Sequence, residues 1–189
     1  MGPLSGIANL VDARSRRVSS FDRSGGNADY VKLPAGETVT LAEVQGAGRI
    51  THLWFTISSK DPLVRRNLVL RAYWDGCEHP SVASPLGEFF GQGRGETYPL
   101  AALPLAAAPK GGNALVCYFP MPFGNGARLT LENQGDVEVN ALYYYVDYEE
   151  VEVGPARNSP RRSPTLGTAK TSGPCSDPRR RTPPTPTTT

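Results

Sequence analysis

From Tyr30 onward apolar and polar positions alternate along the chain, which is the period of strands buried on one face. Thr38–Gln45 sets Val39, Leu41 and the apolar stem near Val44 against polar neighbours. In the run that follows, strict alternation puts Ile50, His52, Trp54 and Thr56 on one side and Leu53, Phe55 and Ile57 on the other. Residues 67–74 and 114–119 predict two more strands, and residues 128–132 set Leu129 and Leu131 against charge. Residues 137–153 predict a long strand with Leu142, Tyr144, Val146 and Tyr148 sharing a face.

Turn chemistry separates these runs: Gly46-Ala47-Gly48, Asp75-Gly76, Gly111-Gly112-Asn113, Gly124-Asn125-Gly126 and Gln134-Gly135-Asp136. About seven or eight strands at this spacing, with little helix, predict an all-β, antiparallel β-sandwich of the jelly-roll kind. Before it, residues 5–12 predict one short helix capped by Ser5, and residues 15–29 a polar loop. The stretch 99–109, apolar but broken by three prolines, predicts a buried connection or helix-like turn rather than a strand.

Composition divides this picture in two. Residues 154–189 hold 8 of the 18 prolines, 7 of the 20 lysines and arginines, and one acid, Asp177. They contain no aromatic residue and one large aliphatic, Leu166, so they have almost nothing apolar to bury against the entropy of ordering. The chain therefore reads as a lead-in (1–15), a packable β body (16–153) and a disordered, Pro/Arg/Thr-rich tail (154–189). The overall net charge of +2 hides this, because the excess of base lies in the tail.

Charge and cysteine usage narrow the function classes. Cys77, Cys117 and Cys175 form no CxxC pair and leave an odd count, which argues against a disulfide framework or zinc site and fits a reducing compartment. No secretory leader and no apolar run of membrane-spanning length is seen, so a cytoplasmic protein without membrane contact is expected. Arg179, Arg180 and Arg181 lack the aromatic interleaving that stacks bases, and no nucleic-acid partner is expected. The alternating glycines of 91–95 follow no Rossmann-type strand, His52 and His79 have no ligand at metal spacing, and no cofactor is expected.

Two polar clusters remain. Residues 19–30, SSFDRSGGNADY, combine Asp22, Arg23, Asn27 and Asp29 with a Gly25-Gly26 hinge. The mixture suits a polyhydroxylated ligand, with Phe21 or Tyr30 to stack on a sugar face. The plainer and favoured alternative is a turn whose Asp and Asn side chains satisfy their own backbone. The second cluster, 85–96 (PLGEFFGQGRGE), places Glu88 beside Phe89 and Phe90. In a strand the two rings cannot both point inward, so one would line a cleft, and an apolar setting for Glu88 would suit a general acid. The alternative, evenly weighted, is a bulged edge strand with one Phe docked.

The blocks SSFDRSGGNADY, GRITHLWFTI, LRAYWDG, PSVASPLGEFFGQG, CYFPMPFGNGARLTLENQGD and YYYVDYEE, in this order, resemble the N-terminal half of glycoside hydrolase family 172, formerly a domain of unknown function. The resemblance covers residues 16–150. It implies two jelly rolls per subunit, assembly into homo-oligomers (trimers or hexamers), and retaining hydrolysis of α-D-fructofuranosides, difructose anhydrides or D-arabinofuranosides. Asp22, Arg23, Asn27, Glu88 and Phe89 lie in matching blocks and are implied as substrate-binding residues of the pocket wall.

Retention needs two carboxyls about 5 Å apart. In the family these are glutamates in later segments reading like G-E-G-D and G-T-G-T-E-D, and neither motif occurs in this chain. After YYYVDYEE the sequence turns instead into the Arg/Pro/Thr/Ser-rich tail, which resembles a high-GC reading frame translated out of register. The expected function is thus an N-terminal fragment of a furanoside-cleaving glycosidase, catalytically inactive alone. The alternative is a non-catalytic carbohydrate-binding or assembly module.

Overall fold

The computed structural model describes residues 10–151. The tail lies outside this range, and so does most of the expected helix at 5–12; its described part, 10–12, is not helical.

Among the described residues, twelve strands form two antiparallel sheets. They are β1 (Arg14–Ser19), β2 (Val31–Leu33), β3 (Thr38–Gln45), β4 (Gly48–Ser59), β5 (Leu68–Trp74), β6 (Val82–Pro85), β7 (Leu100–Ala101), β8 (Leu105–Ala108), β9 (Ala114–Cys117), β10 (Met121–Phe123), β11 (Gly126–Asn133) and β12 (Val139–Glu150). Two four-residue helices, α1 (Val64–Asn67) and α2 (Leu86–Phe89), flank β5 and β6. The larger sheet runs β1-β12-β4-β9-β8-β7, with β2 also on β12 and β10 also on β4; the smaller runs β3-β11-β5-β6. The chain alternates between sheets, so that β2-β12-β4-β9 faces β3-β11-β5-β6. That is the wiring of a jelly roll, and the expected fold class holds.

The excess over the expected strand count comes from short pieces. β1 occupies part of the stretch read as a polar loop: its arginines are exposed on an edge strand, so β1 shows little hydrophobic alternation. The proline-broken stretch 99–109 is a β7–β8 hairpin rather than a buried connection, because its prolines sit outside the paired positions Leu100↔Ala107 and Ala101↔Ala106.

The core lies between the sheets. Ile50, Leu53 and Phe55 of β4, Leu142, Tyr144 and Val146 of β12, Leu68 and Leu70 of β5, and Leu129 and Leu131 of β11 meet there. Tyr148 packs against the same cluster, so the expected face of β12 is the one observed. On β4 the expectation fails at one residue: Ile50 is fully buried, on the core side with Leu53 and Phe55. The cause is a β-bulge. Asp147 pairs with His52 and Tyr148 with Ile50, so Thr51 is skipped and the alternation reverses there.

Residues 85–96 form α2 and a tight glycine-containing turn, not an edge strand. The helical geometry sends Phe90 into the core, fully buried and edge-on to Phe55 at 5.7 Å, while Phe89 packs at its margin, 5.1 Å from Phe90. Gln92 is fully buried and works as a polar hub: its Nε2 donates to Tyr98 O (2.6 Å) and Gly112 O (3.1 Å), and its Oε1 accepts from Arg65. Gly112 is required here. Its φ is +84°, and a Cβ would stand 2.1 Å from the Tyr98 carbonyl.

Candidate functional site

β1 and β2 lie end to end along one edge of β12, pairing with its residues 145–150 and 139–142. The loop 20–30 leaves the sheet between them, at the level of Tyr143 and Tyr145. Ser20 pins it there: its N–H donates to Tyr144 O (3.2 Å), its Oγ accepts from Tyr144 N (3.1 Å) and donates to Asp29 O (2.8 Å).

Within the loop the carboxylate of Asp22 faces its own backbone. Oδ1 accepts from Ser24 N (2.9 Å) and Ser24 Oγ (2.6 Å), and Oδ2 from Ala28 N (3.2 Å). The Ser24 hydroxyl bond, followed by these backbone bonds, holds the Asp22 carboxyl below its ordinary range. Asn27 adopts φ +61°, a left-handed position that asparagine tolerates. Arg23 lies over the exposed ring of Phe21, 5.9 Å from its centre. The self-satisfying turn is therefore what the loop is built as. Asp29 differs: its Oδ1 accepts from Asp22 N (2.7 Å), and its Oδ2 makes no hydrogen bond among the described residues.

The loop borders the outer face of the larger sheet, where strand register lines up two rows. Arg17 of β1, Asp147 of β12 and His52 of β4 are direct cross-strand neighbours. Arg17 donates to both Asp147 oxygens (2.5 and 2.9 Å), and His52 Nδ1 lies 2.8 Å from Asp147 Oδ2. Tyr118, which follows β9, stacks on His52 at 4.8 Å. Burial alone would raise the Asp147 carboxyl, but the bonds from Arg17 and His52 outweigh it and hold it below the ordinary value. His52 is thus oriented by a carboxylate, as expected of a satisfied strand histidine. The adjacent row stacks Tyr145 on Trp54 at 4.8 Å, with the Arg17 guanidinium 4.3 Å over the Tyr145 ring.

Between the rings and the loop lies a cleft of about 170 Å³, lined by Ser20, Phe21, Asp29, Trp54, Tyr143 and Tyr145. Tyr143 also contacts Tyr30 (5.9 Å). A broader hollow beside it is lined by Arg16, Arg17, Thr51, His52, Tyr118 and Asp147, among others.

Of the residues singled out from sequence, Asp22, Arg23 and Asn27 share the loop. Glu88 and Phe89 sit on α2, and no hydrogen bond, ion pair or ring contact joins them to it. Glu88 Oε1 faces Arg66 at 3.9 Å, while Oε2 is buried without a hydrogen-bond partner. Sequence reasoning missed Tyr143, Tyr145 and Asp147. The signal was available: they are the odd-numbered complement of the core-facing Leu142, Tyr144 and Val146.

Among the described residues no group of His, Cys, Asp and Glu could hold a metal ion, and no helix is long and apolar enough to cross a membrane. A search of curated proteins returned no match. A family profile described as GH172 domain-like matches residues 26–145. That span runs from within the loop, through both sheets, to Tyr145 in the aromatic row, and the chain belongs to the GH172 family of glycoside hydrolase-related proteins.

Proposed function

We propose that residues 16–153 are the substrate-side jelly roll of a retaining glycoside hydrolase acting on α-D-fructofuranosides or D-arabinofuranosides, and that this chain alone does not turn substrate over. The observation that carries the second half is the state of the carboxylates. On the outer face of the larger sheet, Asp22 holds its own loop, Asp147 is shared by Arg17 and His52, Glu149 pairs with Arg49 (2.5 Å) and Glu150 with Arg16 (3.1 Å). Asp29 keeps one uncommitted oxygen, without a second free carboxylate to complete the pair that retention requires. A glycosidase without its nucleophile forms no covalent intermediate and loses nearly all of its rate.

The test is turnover of aryl α-D-fructofuranoside and aryl α-D-arabinofuranoside by the purified chain. No release of aglycone above background is expected; catalytic release abolished by a substitution in this chain would overturn the proposal. The second reading, a binding or assembly module without a catalytic parent, is favoured by the same committed carboxylates and by the exposed rings of Tyr118 and Phe119. Assembly into trimers or hexamers belongs to both readings, and light scattering of the intact chain measures it.

A further inference from the structure

We propose that the cleft between the 20–30 loop and the outer face of the larger sheet holds one furanosyl unit, a substrate-class assignment that rests on the furanoside reading above. Its walls and its rim meet two different demands. A furanose ring presents a C–H-rich face to an aromatic π-surface and hydroxyls to hydrogen-bonding groups. Phe21, Trp54, Tyr143 and Tyr145 supply the aromatic wall, and Asp29 supplies the acceptor. The volume, about 170 Å³, lies below the roughly 300–1,000 Å³ of pockets that take larger organic ligands, and suits a single sugar ring.

The acceptor is aimed before any ligand arrives. Asp29 is held through Oδ1 by the Asp22 N–H and through its carbonyl by Ser20 Oγ. The loop around it is closed by the Asp22 carboxylate on Ser24 and Ala28. Ordering of the loop is thus settled in advance, which lowers the entropic cost of binding. What is left over is Asp29 Oδ2, placed to accept from a sugar hydroxyl.

The same oxygen argues against a protein covering this cleft. Asp29 has no cationic partner in the described structure, and burying an unpaired carboxylate under a second copy of the chain would carry a large desolvation cost. Sugar hydroxyls satisfy it without burying a counter-charge. Arg17 and Asp147 neutralise one another next door, so no net charge asks for an anionic ligand.

Trp54 is one of only two tryptophans, the other being Trp74 on β5. In the Trp74→Phe chain, Trp54 emission reports the cleft directly. Titration with methyl α-D-arabinofuranoside or methyl α-D-fructofuranoside is expected to shift that emission saturably. Asp29→Asn, which keeps an oxygen for the Asp22 N–H but replaces the free acceptor, should weaken binding about tenfold, and Glu88→Gln on α2 should leave it unchanged. If Trp74→Phe does not fold, the two indole N–H resonances of the unaltered chain give the same readout.

A saturable shift with methyl α-D-glucopyranoside and none with either furanoside would keep the cleft as a sugar site but overturn the furanosyl assignment. Calorimetric furanoside binding with a silent Trp54 would overturn the cleft and leave the furanoside reading standing. No binding of any of the three sugars, or a self-association that Trp54→Ala dissolves without any sugar effect, would overturn the proposal itself.

Discussion

The two outer faces of this sandwich are built by the same rule and end up chemically unlike. Each presents cross-strand pairs of opposite charge: Arg71 with Glu132 on the smaller sheet, Arg17 with Asp147 on the larger. On the smaller sheet the neighbours are small or polar, such as Thr40, Glu43 and Thr130, and the ring of Tyr73 is capped by Arg128 at 3.9 Å. On the larger sheet the pair is set among Tyr143, Tyr145, Trp54, His52 and Tyr118, with a loop standing at their edge. A charged pair alone makes a solvated face, whereas the same pair among open rings makes one that can hold a neutral polar ligand.

The comparison can be broken from inside. Phe90 supports the larger sheet by meeting Phe55 edge-on, and Phe55 in turn stacks with Tyr144 of β12 at 6.3 Å. Phe90→Ala should cost about 3–5 kcal/mol, measured by denaturant unfolding. It should loosen the aromatic face before the Arg71–Glu132 face, which backbone amide exchange would resolve. A cost under about 1 kcal/mol would contradict the packing described.

Asp147→Asn removes the shared partner of Arg17 and His52, and Glu132→Gln the partner of Arg71. The first should destabilise by about 1–2 kcal/mol, because two donors lose a part-buried charge; the second by less than about 1 kcal/mol, as an exposed pair. Equal effects would remove this distinction between the faces.

Acid sharpens the same contrast. The folded Asp147 carboxyl is held below its ordinary value, so the group adds stability above the unfolded value of about 3.9. That stability should disappear as pH falls from there through the lower folded value. Glu132, held low chiefly by Arg71, follows the same sign. The acid unfolding profile of Asp147→Asn should therefore be flatter below about pH 4 than that of the unaltered chain. A parallel profile would show that Asp147 is not held by these bonds.

The smallest effect belongs to the loop. Asp22→Ala removes three accepted hydrogen bonds from an exposed turn and should change the unfolding free energy by about 1 kcal/mol or less. It should nevertheless weaken sugar binding, because Asp29 loses the frame that aims it.

Much of the fold was legible because its strands are long and alternate cleanly; β3, β5 and β12 read off their apolar positions. Thr51 was not, since a bulge arises from how two strands pair and nothing in the residue type announces it. β1 and the β7–β8 hairpin were hidden for related reasons: edge arginines and prolines carry no buried period. As for the site, the Asp22 loop showed itself as a polar cluster, and its self-satisfying chemistry was the favoured reading. The aromatic wall was half visible. His52 and Trp54 fell on one face by alternation, but joining them to Arg17, Tyr145 and Asp147 required the register of three strands over a sequence separation of 130 residues between Arg17 and Asp147. The helical turn at α2 was obscured by reading Phe89 and Phe90 as strand residues.

The most direct test of the account maps a furanoside onto the two faces at once. In a ¹H–¹⁵N spectrum of the chain titrated with methyl α-D-arabinofuranoside, the account predicts shifts at Phe21, Asp29, Trp54, Tyr143 and Tyr145, with β3, β11, β5 and β6 unmoved. Shifts centred on Arg71, Tyr73 and Arg128 of the smaller sheet, or none at all, would contradict it.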